Sequence, residues 1–279
     1  VKQYASLEEM LSDPAIDAVT ICTPSGLHTQ QAIAAMRAGK HVVCEKPMSL
    51  TLEQADELIR TANETGVKVC IISQFRFTPA VQAVKKAIEA GALGKIVSGS
   101  LQMKYFRSDE YYASGAWRGT WAMDGGGALS NQGIHEIDRL ITLFGLPDAV
   151  SCRTACQAHD IEVEDDVTAV LEYPNGATGV FIATTGEAPG TNRLEIAAER
   201  GKLVYENQKL TFIRNEIPTS QFSKETTQSF ATPDKWFVDI PVNTDGSHQH
   251  RDIIENFCNA ILKGDKLIAP AQEGIRGLE

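Results

Sequence analysis

The sequence predicts an α/β domain built on a parallel sheet, followed by an α+β domain in which a large open mixed or antiparallel sheet dominates. Three observations carry that expectation. Up to about residue 72, short apolar, β-rich runs alternate with helical patterns, as in βαβ units. From residue 97 onward most runs alternate apolar with polar side chains, the pattern of strands with one covered and one open face. The length, 279 residues, is near twice that of a usual domain.

Taken in order, a short helix is expected over 6–11, a strand over 18–22, a helix over 29–38 and a strand over 41–44. Leu52, Ala55, Leu58, Ile59 and Ala62 recur at helical spacing and predict a helix over 51–64, with a strand over 67–72 after it. These strands are apolar on both faces, which suits a sheet covered by helices on both sides. The pattern changes between 73 and 79, so the chain divides into residues 1–75 and 76–279. A helix over 80–90 ends at Gly91 and Gly94, and strands are expected over 97–106, 151–158, 168–172, 179–185, 195–198 and 202–205. Pro174-Asn175-Gly176 marks a hairpin between two of them. Helices over 128–144 and 251–262 complete the second domain.

Composition excludes several classes of function. Hydrophobic residues make up 43% of the chain, and 26 Lys and Arg against 36 Asp and Glu give a net charge of -10. With no basic run, nucleic acid is not an expected partner. The longest apolar run, 67–73, falls far short of the roughly 20 residues that span a bilayer, so no membrane partner is expected. Of six scattered cysteines (Cys22, Cys44, Cys70, Cys152, Cys156 and Cys258), three lie in apolar strand-like runs where a free thiol acts as a small hydrophobe, which predicts a reduced, cytoplasmic setting. Cys152 and Cys156 lack a second pair at zinc spacing, so no metal is expected.

Ligands in a doubly wound sheet sit at the carboxyl ends of the strands. Two loops leave such ends here: Cys22-Thr23-Pro24-Ser25-Gly26-Leu27-His28, and Cys44-Glu45-Lys46-Pro47. Alone, the first could be turn chemistry and the second a solvated charge pair. A third cluster runs from Trp117-Arg118-Gly119-Thr120-Trp121 through Asp124-Gly125-Gly126-Gly127 to Asn131-Gln132-Gly133-Ile134-His135. On one helix, Asn131 and His135 are four apart and share a face. Three glycines beside two tryptophans pack poorly but allow a ligand to approach closely.

Together with Gln74-Phe75-Arg76-Phe77, Glu164-Asp165-Asp166 and Asn175-Gly176, these pieces resemble the Gfo/Idh/MocA family of oxidoreductases over nearly the whole chain. The resemblance implies a Rossmann domain binding NAD or NADP, with NAD the first choice, and a second domain whose open sheet walls the active site and joins copies of the chain as a dimer or tetramer. It implies that Cys22, Thr23, Pro24, His28, Glu45, Lys46, Gln74 and Arg76 lie along the cofactor, and that Trp117, Arg118, Trp121, Asn131 and His250 line the substrate pocket. Lys46, Asn131 and His135 are the implied catalytic set. The implied reaction moves a hydride from a hydroxyl of a sugar, nucleotide-linked sugar or cyclic polyol to the nicotinamide. In that scheme His135, with an ordinary imidazole pKa of about 6.5, takes the proton while Lys46 steadies the alkoxide.

Two departures stand out. Polyol dehydrogenases of the family commonly carry aspartate four before the histidine, where Asn131 stands, and an amide cannot raise the imidazole pKa by charge. The Asn-Gln-Gly-Ile-His version looks more like members acting on nucleotide-linked amino-sugar uronates. The G-x-G-x-x-G fingerprint is missing, since Gly125-Gly126-Gly127 does not follow a strand into a helix; it is expected in an upstream segment, along with the residue that selects NAD or NADP. A further helix and strand are expected beyond Glu279. Two other activities fit the same family: a catalytically silent dinucleotide-binding regulator, disfavoured by Lys46 and His135, and an enzyme using tightly held NAD for hydrolysis or epimerisation.

Overall fold

The computed structural model describes residues 2–242 and 249–279. Helix α1 (Leu7–Leu11), capped by the Ser6 hydroxyl, leads into strand β1 (Ala18–Ile21). Helix α2 (His28–Arg37), strand β2 (His41–Cys44), helix α3 (Leu52–Thr65) and strand β3 (Val69–Ile71) follow. Thr51 caps α3 at its start, and Gly66, at φ 69°, ends it in the left-handed region that glycine adopts without strain. The three strands form a parallel sheet in the order β1-β2-β3.

Because side chains alternate across a strand, the two faces of this sheet have separate cores. Val42, Cys44, Val69 and Ile71 pack with Ala32, Met36, Ala55 and Leu58 of α2 and α3. Val43, Cys70 and Ile72 pack on the other face with Ile253, Phe257 and Ala269. The second cover therefore comes from the far end of the chain, helix α8 (Gln249–Leu262). Pro270 bridges to Cys70, and Ala271 joins the first core. Residues 249–279, assigned from the sequence to the second domain, return to the first sheet instead: its second apolar face needs a cover that residues 1–75 do not supply.

Between these parts, α4 (Pro79–Glu89), α5 (Asp109–Ala113), α6 (Ile134–Phe144) and α7 (Thr219–Glu225) accompany an eight-stranded sheet. Its strands are β4 (Ile96–Phe106), β5 (Ala149–Ala155), β6 (Asp166–Glu172), β7 (Thr178–Thr184), β8 (Gly186–Ala198), β9 (Gly201–Glu206), β10 (Lys209–Asn215) and β11 (Lys235–Ile240). They lie in the order β11-β10-β9-β8-β4-β7-β6-β5, mixed because β4 and β7 run parallel. Val81 and Val84 of α4 and Leu140 and Leu143 of α6 cover one face, against Leu101, Phe181, Leu194 and Ile196. On the other side Val170 and Val180 are exposed. The helix expected over 128–144 is broken: Ala128–Gln132 forms a π turn before α6 begins.

Candidate active site

The carboxyl ends of β1, β2 and β3 face the start of α6, and the loops there carry most of the candidate residues. Lys46 follows β2 and extends to the π turn, where its Nζ donates to the Asn131 carbonyl (2.7 Å) and to Asn131 Oδ1 (3.0 Å). Asn131 in turn donates through Nδ2 to Asp124 Oδ1. His135 meets Gln74 from the end of β3, with Nε2 atoms 3.3 Å apart, and its ring lies 5.1 Å from that of Phe75. Lys46 and His135 border one internal cavity of about 20 Å³, behind which Gly274, Gly277 and Leu278 close the wall. Two sheets and the returning chain thus converge on these two side chains.

The π turn owes its shape to a carboxylate. Glu164 Oε1 accepts from the Gly127 and Leu129 N–H groups, at 2.9 Å each, and the Glu164 carbonyl accepts from Ala128 at 2.7 Å. A β-carbon at position 127 would collide with that carbonyl oxygen, so the third glycine of the run is required by backbone approach. π turns open a helix locally, and here the result separates the two residues that a regular helix would align. The Asn131 carboxamide serves Lys46 and Asp124 rather than orienting the His135 ring.

Burial sets the electrostatics. It pushes the His135 imidazole down to about 3, with the charges of Lys46, Arg139 and His250 adding to the effect. The ordinary value near 6.5 expected from sequence is therefore replaced by a ring that is neutral throughout the physiological range. Burial also lowers Lys46; Glu45 and Asp124 oppose that, whereas Arg118 and Arg107 reinforce it. Asp124 itself is raised, chiefly by burial.

Several expected contacts are corrected. His28 is 1% exposed, with Nδ1 2.7 Å from the Pro47 carbonyl and Nε2 2.8 Å from the Thr23 carbonyl. It ties the two loops together and has no ring atom left for a cofactor. Arg76 is buried as well, donating to both Asp138 oxygens (2.6 to 3.0 Å), to Glu273 (3.2 Å) and to the Ile268 carbonyl (3.2 Å); it fastens β3 to α6 and to the returning chain. Trp121 is 57% exposed. Trp117 serves as a stacking base for Arg118, whose guanidinium lies 4.5 Å from the Trp117 and Tyr111 rings and donates to the Tyr111 hydroxyl. Of the three, Arg118 lines the neighbouring open cleft of about 800 Å³, with Tyr112, Thr120, His159 and Glu162. His250 is exposed in the first turn of α8, within electrostatic reach of His135.

Cys22 and Thr23 are exposed past β1, and Pro24 and Glu45 are half-buried beside them. Gln74 Oε1 is buried without a partner among the described residues, and an orphaned amide oxygen of this kind suits a donor such as a carboxamide. These strand ends fit the nicotinamide-ribose half of a dinucleotide. Asp124, Glu164 and the Tyr111–Gln132 pair were not assigned roles from sequence. Asp124 and Glu164 stand within the motifs read there, but spacing does not show which backbone groups a carboxylate will reach. Among the described residues, no helix is long and apolar enough to cross a membrane.

Residues 1–73 match the family profile described as oxidoreductase family, NAD-binding Rossmann fold, and residues 81–204 match the GFO/IDH/MocA C-terminal domain. The chain is 36% identical over 170 residues to scyllo-inositol 2-dehydrogenase (NADP(+)) IolW of Bacillus subtilis, covering 60% of this chain and 46% of that protein. It is 29% identical over 226 residues to levoglucosan dehydrogenase of Pseudarthrobacter phenanthrenivorans, covering 72% of this chain and 58% of the relative. The chain thus spans about half the length of these curated relatives. The WlbA dehydrogenase of Bordetella pertussis, solved with NADH and UDP-GlcNAcA, superposes with a TM-score of 0.81 at 31% identity, covering 98% of this chain and 77% of that one. By both domain matches and this superposition, the chain belongs to the Gfo/Idh/MocA family of oxidoreductases.

Proposed function

We propose that this chain carries the reacting-hydroxyl end of an NAD(P)-dependent dehydrogenase acting on a sugar, nucleotide-linked sugar or cyclic polyol. The observation that carries the reading is the meeting of Lys46 and His135, one from each sheet region, at the strand ends where Glu45 and Gln74 also stand. Thr23, Pro24, Glu45 and Gln74 would hold the cofactor, which supplies the hydride acceptor when bound. Cys22 lies beside them.

Lys46 has three donors, two of them spent on Asn131. The third is available to a substrate hydroxyl, where the ammonium favours the charge that develops on oxygen. Neutral His135 accepts the departing proton. Burial and the neighbouring charges of Lys46 and Arg139 disfavour the resulting imidazolium, so the proton is passed on rather than kept on the ring. Arg107 and Arg118 add positive charge near Lys46, which favours an anionic group of the substrate at that point, whereas Asp109, Asp160 and Glu162 on the wall of the neighbouring cleft disfavour one there. The UDP-GlcNAcA of the similar WlbA complex agrees with that preference.

The open face of the large sheet, with Val170 and Val180 paired across β6 and β7, is the proposed surface for self-association. The activity is tested on full-length protein by NADH or NADPH fluorescence with inositols, hexoses and UDP-sugars as substrates. Net reduced cofactor supports a dehydrogenase. Tightly held cofactor with turnover but no net reduction sinks this reading in favour of transient oxidation, and binding without turnover sinks it in favour of a regulator.

A further inference from the structure

Asp124 contributes to the site although it reaches it only through another side chain. It is 3% exposed. Its Oδ2 accepts from the Gly119 N–H at 2.9 Å, and its Oδ1 accepts from Asn131 Nδ2. The other end of the same carboxamide, Asn131 Oδ1, accepts from Lys46 Nζ. Carboxylate, carboxamide and ammonium therefore form one chain across the seam between the sheets. An ionised carboxylate only accepts and an ammonium only donates. Reversing the amide would set its NH₂ against the ammonium and its oxygen against the carboxylate, so Asp124 decides which end of Asn131 meets Lys46.

We propose that Asp124 is the positioning residue for Lys46: through Asn131 it aims the ammonium at the proposed reaction centre, and it supplies the buried countercharge. The proposal rests on the reading of Lys46 as the group at the reacting hydroxyl. The charged and titratable groups around Lys46 are Glu45 after β2, Asp124 and Arg118 from the segment before the π turn, Arg107 after β4, and His135 on α6. Glu45 and Asp124 favour the ammonium; Arg118, Arg107 and burial oppose it. Glu45 is half-exposed and also accepts from the Lys46 N–H at 3.1 Å, so solvent screens it more than the buried Asp124. Asn131 alone, being neutral, cannot supply this charge. Asp124 returns a carboxylate to the site from one residue further away.

The test compares full-length wild type, Asp124→Asn, and the exchange Asp124→Asn with Asn131→Asp, which keeps one carboxylate and one carboxamide in nearly the same volume. Two quantities are read: the pH midpoint for acetylation of Lys46 by acetic anhydride, followed by mass spectrometry, and the pH profile of kcat. In Asp124→Asn the midpoint should fall, the alkaline limb should move to lower pH, and kcat should drop roughly 10- to 100-fold, the worth of a hydrogen bond to a charged group. KM and cofactor affinity should change little. The exchange variant, with its carboxylate directly on Lys46, should raise the midpoint above the wild-type value and restore most of kcat. An unchanged midpoint and kcat in Asp124→Asn overturns the proposal, and so does an exchange variant as impaired as the single one. If Asp124→Asn does not fold, the exchange variant is set against wild type: a higher midpoint supports the proposal and an unchanged one overturns it. Acetylation needs no turnover, so Asp124 can fail while Lys46→Met still abolishes activity, and the reading of Lys46 can fail while the midpoint still responds to Asp124.

Discussion

Two cations leave neighbouring strand ends of the parallel sheet and are treated in opposite ways. Arg76, beyond β3, makes five hydrogen bonds, four of them to the carboxylates of Asp138 and Glu273. Lys46, beyond β2, is held by a carbonyl and an amide oxygen and keeps one donor unspent. His28 and His135 divide similarly: both nitrogens of His28 face backbone carbonyls, whereas His135 meets one side-chain amide. A buried group saturated by fixed partners holds the fold together, and one held by neutral dipoles with capacity left over can act on a ligand.

The strongest way to break this comparison is to remove Lys46. In full-length protein Lys46→Met should abolish turnover while cofactor binding survives, and His135→Ala should cost about 10²- to 10⁴-fold in kcat, the usual worth of general acid–base help. Stopped-flow and steady-state rates, with cofactor titration by fluorescence quenching, measure both. Undiminished turnover in either variant would remove that residue from the mechanism and leave the family fold.

Arg76 sharpens the comparison from the other side. Arg76→Met leaves Asp138 buried without its main cation, and breaking a buried pair from one side costs about 3–5 kcal/mol. Chemical denaturation should show a loss of that order, and the folded fraction should still bind cofactor as wild type does. A stable variant with lost cofactor affinity would return Arg76 to the binding site and erase the contrast.

The periodicity of apolar residues was enough to place α2, α3, α4, β2 and β4 to within a residue or two, because each buries a face that its own spacing defines. It did not reveal β10, or β11, whose edge position leaves Trp236, Phe237 and Val238 exposed. Nor did it reveal the early half of β8, where Gly186, Pro189 and Gly190 interrupt the apolar alternation. The family resemblance marked Lys46, His135 and Gln74 as candidates, and the structure brings them together. It also marked His28 and Arg76, because a loop cation or imidazole looks the same in sequence whether its partners are a ligand or the Pro47 carbonyl and Asp138. The π turn was hidden because its cause, Glu164, lies 35 to 37 residues downstream of the N–H groups it accepts from.

The smallest effect concerns pH and isolates His135. Its ring titrates near 3 when folded, against an ordinary 6.5. Between those values the unfolded chain takes up a proton that the folded chain refuses, so this contribution to stability is complete above about pH 6.5 and is lost as pH falls toward 3. Carboxylates with lowered values, such as Asp165, act in the same direction, but mainly below about pH 4. His41 is also lowered by burial, yet it remains largely solvated, and its share should be small. In His135→Leu the buried ring is replaced by a side chain that does not titrate, so the variant should lose less stability than wild type between pH 6.5 and 4.5. The difference in slope should amount to roughly 2–3 kcal/mol over that window, whatever the variant does to stability at neutral pH. Urea midpoints measured at several pH values provide the slopes. Parallel curves would mean that water reaches the folded His135 ring and that it titrates as an ordinary imidazole, which would also restore it as a base of ordinary strength in the proposed reaction.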